Sequence, residues 1–187
     1  MTSAAAAPPS ADAALVDLVL DGDQHAFAEL VRRYDDRLRG VAFKLLGDRH
    51  RMEDAMQEAY VRVFRSLPSF RRDAELGSWL YRIVYNACID ELRRSGRRPV
   101  PVDTADVVWD APSPNAGPDR AVTASDAALR ALGALPEDQR ATVLLVDGEG
   151  FDNVTAAQIL GIAPGTVASR LSRARTTMRH ALGEDAR

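Results

Sequence analysis

Apolar residues recur at steps of three and four along most of this chain, and nowhere do they alternate over any length. A turn takes 3.6 residues, so this spacing predicts helices with one buried stripe each. A short helix is expected near Asp12 to Leu20. Asp23 can cap a second, with Phe27, Leu30, Val31, Tyr34, Leu38, Val41, Leu45 and Leu46 as its stripe and Gly47 as its stop. Asp48 can open a third, burying Met52, Met56, Tyr60, Val63 and Leu67 and halted by Pro68. Residues 69–77 (SFRRDAELG) read as a loop. Ser78 to Arg94 forms a further helix with Trp79, Leu80, Ile83, Val84, Ala87 and Leu92 inside, ended by Ser95-Gly96.

The second half begins with a weak helix around Val122 to Leu135. Pro136 suits the first position of the next helix, which runs to about Asp147. Between residues 151 and 182 a short helix (about 152–160) meets a Gly161-Ile162 turn and then a longer helix from about Pro164. That order is the helix-turn-helix pattern. Small Ala157 lets the two helices cross closely, and Val167, Leu171, Ala174 and Met178 form the second helix's apolar stripe.

The fold class that follows is all-α, with two small helical domains. Residues 1–11 are an Ala/Pro tail that reads as disordered. Residues 96–121 hold Pro99, Pro101, Pro112, Pro114 and Pro118 among Asp103, Asp106, Asp110 and Asp119, which is a linker composition. One domain therefore spans 12–95 and the other 122–183, with a frayed end beyond.

Composition narrows the class further. At 187 residues and 46% apolar content the chain is neither disordered nor fibrous. Cys88 is the only cysteine, so no internal disulfide framework exists. Met1 to Ser10 lacks the basic start and apolar core of a secretory signal, and no run approaches the ~20 apolar residues that span a bilayer. A cytoplasmic chain without membrane insertion is expected. The net charge of −3 conceals alternating blocks. Residues 1–31 carry −5, residues 32–98 carry +6, residues 99–168 carry −7 and residues 169–187 carry +3. Two basic blocks separated by an acidic one suggest two contacts with a polyanion, although solvated helix faces would show the same pattern.

Three faces carry candidate chemistry. On the helix from Pro164, Ser169, Ser172, Arg173 and Thr176 lie opposite the apolar stripe, with Thr166 beside them and Arg170, Arg175 and Arg179 flanking it. Short hydroxyls and one forked cation suit base edges in a major groove, and flanking arginines suit phosphates. A basic helix end favoured by its dipole is the plainer reading. On the helix after Asp48, Asp54, Glu58, Val61 and Arg65 point away from the core, with Gln57 nearby. The like-charged pair beside an exposed valine reads either as a patch for a basic partner or as a solvated face with a Glu58–Arg62 pair. Around the fourth helix, Phe70, Arg71, Arg72, Trp79, Tyr81, Arg82, Tyr85, Arg93 and Arg94 combine rings with cations, as single-stranded nucleic acid requires, and Asn86 shares the face of Trp79, Arg82 and Arg93. The plainer reading makes Trp79 and the tyrosines core. His25, His50 and His180 lack partners at ligand spacing, Cys88 sits beside the core stripe, and no glycine-rich phosphate loop occurs. No catalytic constellation, metal or cofactor is expected.

DAMQEAYVRVFRSLPSF (54–70) and GSWLYRIVYNACIDELRR (77–94) resemble regions 2.2 to 2.4 of the bacterial extracytoplasmic-function sigma factors, group IV of the sigma-70 family. ALPEDQRATVLLVDGEGF (134–151) and LGIAPGTVASRLSRAR (160–175) resemble their region 4. The resemblance implies a non-enzymatic factor that binds core RNA polymerase, directs it to promoters and promotes melting. Asp54, Gln57, Glu58 and Val61 would meet the clamp helices of the polymerase. The loop Phe70 to Leu76, with Arg71 and Arg72, would cradle a flipped base of the -10 element, with Trp79, Arg82, Asn86 and Arg93 alongside and Asn86 reading that element. Thr166, Ser169, Arg170, Ser172, Arg173, Arg175 and Thr176 would engage the -35 element. An anti-sigma partner is implied as well. The chain departs from the family at Ala168, where a cation is usual, and at Val154, Thr155 and Ala156. A stand-alone helix-turn-helix regulator is the rival reading. It accounts for residues 151–182 and leaves the aromatic helix and acidic patch without use. A nucleic-acid-processing enzyme is a third, disfavoured by the missing constellation.

Overall fold

Asp23 and Asp48 organise the first half from its helix starts. The Asp23 carboxylate accepts from the backbone N–H groups of His25 and Ala26, and that of Asp48 accepts from Arg51, so each satisfies donors that the helix cannot. Between them Gly47 closes the intervening helix in the left-handed region at φ 70, where a side chain would be strained. The computed structural model describes residues 11–70, 75–95 and 118–184. The expected tail up to Ser10, most of the expected linker, and Arg71 and Arg72 lie outside these residues, while Ala11 opens the first helix.

The helices are α1 (Ala11–Leu20), α2 (Gln24–Leu46), α3 (Arg49–Ser66), α4 (Leu76–Arg94), α5 (Pro118–Gly133), α6 (Glu137–Val143), α7 (Asn153–Leu160) and α8 (Pro164–Glu184). No strand occurs among the described residues. The first four pack as one bundle around Leu30, Leu38, Leu45, Leu46, Met56, Val63 and Val84, and α4 lies along α3 and α2. Pro68 sits in a single 3-10 turn, Leu67–Ser69, that ends α3. Helix α4 starts at Leu76, two residues before the expected Ser78, and the Ser78 hydroxyl donates to the Glu75 carbonyl in its first turn.

Two expectations in the second half need correction. Pro136 is the residue before α6 and not its first position. Its backbone is extended at ψ 148, and its carbonyl accepts from Gln139 and Arg140 as an N-cap carbonyl does. The helix also stops short of Asp147. After Val143 the chain widens into a π turn, Leu144–Gly148, in which the Glu149 N–H donates to the Leu144 carbonyl five residues back. Gly150, at φ 78, then reverses the chain into Phe151. Beyond it Asp152 caps α7, Gly161 closes α7 in the left-handed region, and α8 begins at Pro164. Ala156 and Ala157 are buried where α7 crosses α8, so small side chains fill that crossing. Val167, Leu171 and Ala174 are buried as the stripe predicts, with Met178 half-buried.

The two halves do not stand apart. Buried residues of both belong to one continuous apolar core, and α7 packs against α4.

Candidate nucleic-acid interface

Helix α4 divides its circumference in three. Leu80, Val84, Ala87 and Cys88 face the bundle and are buried. Arg82, Asn86 and Arg93 are exposed together, since steps of four and seven return to one face at 100° per residue. Tyr81 and Tyr85 form a third strip, turned towards the second domain. The Arg82 and Asn86 side chains make no hydrogen bond or ion pair among the described residues, while Arg93 stands 3.7 Å from Asp90. At one end of this face the Phe70 ring lies 5.0 Å from the half-buried Trp79 ring, tilted by 43°. Two rings in this offset contact, next to free amide and guanidinium groups, can stack on a base and hydrogen-bond its edge. Tyr81 is 5% exposed, which removes it from the open part of the face.

Burial also settles Cys88, fully enclosed in the bundle, where desolvation pushes its thiol up to about 12 and leaves it inert. No cluster of metal-ligating side chains occurs among the described residues.

On α8 the hydroxyl face is open. Ser169, Ser172, Arg173 and Thr176 are exposed, and Thr166 is half-buried. The Arg173 guanidinium folds back to the Ser169 carbonyl and hydroxyl at 3.3 and 3.4 Å, long contacts that a better acceptor can displace. The flanking cations are more firmly held. Arg170, with 20% of its side chain exposed, pairs with Asp138 at 3.0 Å. Arg175 forks onto both Asp147 oxygens at 3.1 and 2.6 Å, which raises its pKa. A phosphate reaching either cation competes with a carboxylate already there.

The α3 face is mixed. Asp54, Gln57 and Val61 are exposed as expected, Val61 at 41%. Glu58 is half-buried. Its carboxylate accepts from Arg62 Nε at 2.9 Å, and the same guanidinium reaches Asp90 on α4 at 2.9 Å. The Glu58–Arg62 pair is therefore present, and Glu58 is less available to a partner than Asp54. Phe64, one turn beyond Val61, is 60% exposed and meets Phe27 edge-on at 5.2 Å. It follows Val61 at i+3, so the two share the outer face of α3.

The residue that sequence reasoning missed entirely is Arg140. It is wholly buried, and its guanidinium donates to the carbonyls of Leu132, Leu135 and Gly133 at 2.9, 3.1 and 2.9 Å, and to Leu45 at 3.0 Å. Three of these acceptors lie at the end of α5 and one at the end of α2, where helices leave carbonyls without partners.

Residues 30–98 match the family described as Sigma-70 region 2, and residues 125–178 match Sigma-70, region 4. The chain is 40% identical over 173 residues to the ECF RNA polymerase sigma factor SigM of Mycobacterium tuberculosis strain H37Rv, covering 92% of this chain and 85% of that one. The chain belongs to the extracytoplasmic-function sigma factors of the sigma-70 family. It is also 33% identical over 180 residues to the RNA polymerase sigma-H factor of Pseudomonas aeruginosa, across 91% of this chain and 93% of that one. Among solved structures, CnrH in complex with the cytosolic domain of CnrY superposes with a TM-score of 0.68 at 25% identity, covering 92% of this chain and 97% of that one. RpoE in complex with the anti-sigma factor NepR from Bartonella quintana gives 0.66 at 28%, covering 84% and 96%. The region 2 match thus covers α2 from Leu30 through α4, and the region 4 match runs from within α5 to Met178 in α8.

Proposed function

We infer that this chain is an alternative sigma factor: it binds core RNA polymerase, directs it to a set of promoters and promotes melting there. One observation carries the choice over a stand-alone helix-turn-helix regulator. Beside its region 4 match the chain carries a region 2 match over residues 30–98, whose α4 presents Arg82, Asn86 and Arg93 on one exposed face next to the Phe70–Trp79 pair. A duplex-binding regulator has no use for that face, whereas a factor that captures an unstacked base needs it.

In this reading Asp54, Gln57, Glu58 and Val61 meet the polymerase. Phe70, Arg71, Arg72, Trp79, Arg82, Asn86 and Arg93 hold the -10 element. Thr166, Ser169, Arg170, Ser172, Arg173, Arg175 and Thr176 meet the -35 element. The polymerase performs the chemistry and the factor supplies recognition, so the chain acts in the cytoplasm and is not itself an enzyme. The RpoE–NepR complex supports an anti-sigma protein as a further partner. Run-off transcription with purified core polymerase tests the reading. New promoter-dependent transcripts are expected on adding the chain; their absence on every template of a genomic library overturns it.

A further inference from the structure

Helix α8 has two flanks between its apolar stripe and its hydroxyl face, and they differ. On one, Arg170 pairs with Asp138. On the other lies Ala168, with Arg175 and Arg179 each within about 20° of it at 100° per residue. Ala168 is exposed and lines a groove with Asn153 of α7, Leu171, Ser172 and Arg175. Neither neighbouring cation stands in for the one that sigma factors of this class usually carry at this place. The Arg175 fork is held by both Asp147 oxygens, at 3.1 and 2.6 Å. Arg179 stands about 16 Å further along the helix axis. The flank is therefore short and apolar near the start of the helix.

We propose that Ala168 is a specificity-determining residue, which packs against a thymine methyl at one edge of the -35 element. The proposal rests on the sigma-factor reading, which sets α8 in the major groove of that element. In that groove an A·T pair presents, in order, the adenine N7 and N6 groups, the thymine O4 and the thymine C5 methyl. The methyl is the outermost of these and lies beside the thymine's own backbone. Ser169 and Thr176, in the middle of the inserted face, meet the polar groups. Ala168, about 80° round the helix from Thr176, meets the wall of the groove.

A long cation on this flank reaches out to a phosphate, which positions the helix and carries no sequence information. A single methyl cannot reach so far. What it meets is the apolar group just inside the backbone, and its small size lets the helix sit closer to that wall. Contact between the two methyls removes both from water. A cytosine in the same place offers a bare C5–H and leaves Ala168 wet. Thymine is therefore preferred there about threefold to fivefold, the worth of one buried methyl. The exchange of a cation for alanine thus trades a uniform phosphate contact for a base preference.

The test uses holoenzyme assembled from the full chain and purified core polymerase. Promoter duplexes randomised over the -35 element are selected by the unaltered factor and by Ala168→Arg, which restores the usual side-chain type on an exposed position. The expected result is a thymine enriched at one position with the unaltered factor and not with the variant. On the selected duplex, uracil in place of that thymine keeps the pairing and deletes the methyl. It should weaken the unaltered complex about threefold to fivefold and leave the Ala168→Arg complex unchanged. The variant's affinity should also fall more steeply with salt, its log–log slope larger by about 0.9 for one added phosphate contact. If no thymine is enriched, or uracil is bound as tightly as thymine at every position, the proposal is overturned. A methyl effect that persists in Ala168→Arg overturns it too, since Thr166 or Thr176 then carries the contact. Promoter-dependent transcripts from the same holoenzyme leave the sigma reading standing in each of these cases, whereas their absence overturns both.

Discussion

The Arg140 guanidinium and the Leu45 carbonyl are hydrogen-bonded across 95 residues of sequence, joining α6 to the end of α2. An arginine with no exposed surface is tolerable only because its donors meet oxygens that helix termini leave without partners. Its planar fork reaches carbonyls in two domains at once, which a single ammonium cannot do.

Arg140→Met should therefore destabilise the chain on the order of 3 kcal/mol, because several buried carbonyls lose a charged donor. For a chain of this size that is a fall of roughly 6–12 °C in melting temperature, followed by circular dichroism at 222 nm. Arg140→Lys should recover only a minor part. A lysine variant as stable as the parent would show that the fork geometry is unimportant.

Region 4 carries a pH dependence of known sign at Asp152. Its carboxylate accepts from the N–H groups of Val154 and Thr155 at 2.8 Å each and from the Thr155 hydroxyl at 3.1 Å. Hydrogen bonds to the charged form, first that of the Thr155 backbone, hold its pKa below the ordinary 3.8. A depressed carboxyl stabilises the fold above its unfolded value, and that stabilisation disappears as pH falls through the lower folded value. Helix α7 should consequently loosen below about pH 4, and Asp152→Asn should flatten this response. Amide exchange of Val154 and Thr155 against pH reads it directly; identical profiles in the two proteins would exclude Asp152 as the cause.

The helices and their caps were legible because the signals are local. Asp23, Gly47, Asp48, Gly161 and Pro164 stand within a few residues of the groups they satisfy or the turns they permit. The face shared by Arg82, Asn86 and Arg93 followed from the helical period alone. What the sequence hid depends on distant partners. Arg140 looks like any exposed cation of an amphipathic helix until Leu45 and the end of α5 arrive around it. Nothing in LLVDG announces a π turn, since widening by one residue needs no special side chain, and Glu149 and Phe151 acquire a meaning only once α4 lies opposite. Glu58 shows the same limit at shorter range. Its partner Arg62 was visible, but the third member, Asp90, comes from another helix.

That triad decides how the polymerase surface should be probed. Glu58→Arg would both reverse a charge and release Arg62, mixing binding with stability. Asp54 is exposed and its carboxylate makes no hydrogen bond or ion pair among the described residues, so Asp54→Arg is the cleaner reversal. It should weaken co-purification with core polymerase while shifting stability by no more than about 0.5 kcal/mol, the usual surface range. Val61→Glu should act in the same direction by placing a charge on the apolar centre of the patch. Full retention of polymerase binding by both variants would move the docking surface elsewhere.

Asn86 offers the sharpest test of promoter recognition. It lies in the middle of a helix, where asparagine is a poor choice for stability, and its amide is exposed without an internal partner among the described residues. An alanine there should leave the bundle intact or slightly firmer, since helix propensity improves and nothing buried is lost. Function should move the opposite way. An asparagine amide can both donate to and accept from one base edge, and losing such a pair costs about 1–3 kcal/mol of discrimination, or a factor of roughly 5 to 150. Transcription from Asn86→Ala holoenzyme should drop on the preferred promoter and become insensitive to base identity at one -10 position, with the other positions unaffected. Asn86→Asp, which keeps the acceptor and loses the donor, should change which base is preferred there. A complete set of single-base -10 templates, read by run-off transcription, separates these outcomes. If every template keeps its rank with both variants, Asn86 faces the DNA without reading it, and the reading residue must be sought at Arg82 on the same strip of α4.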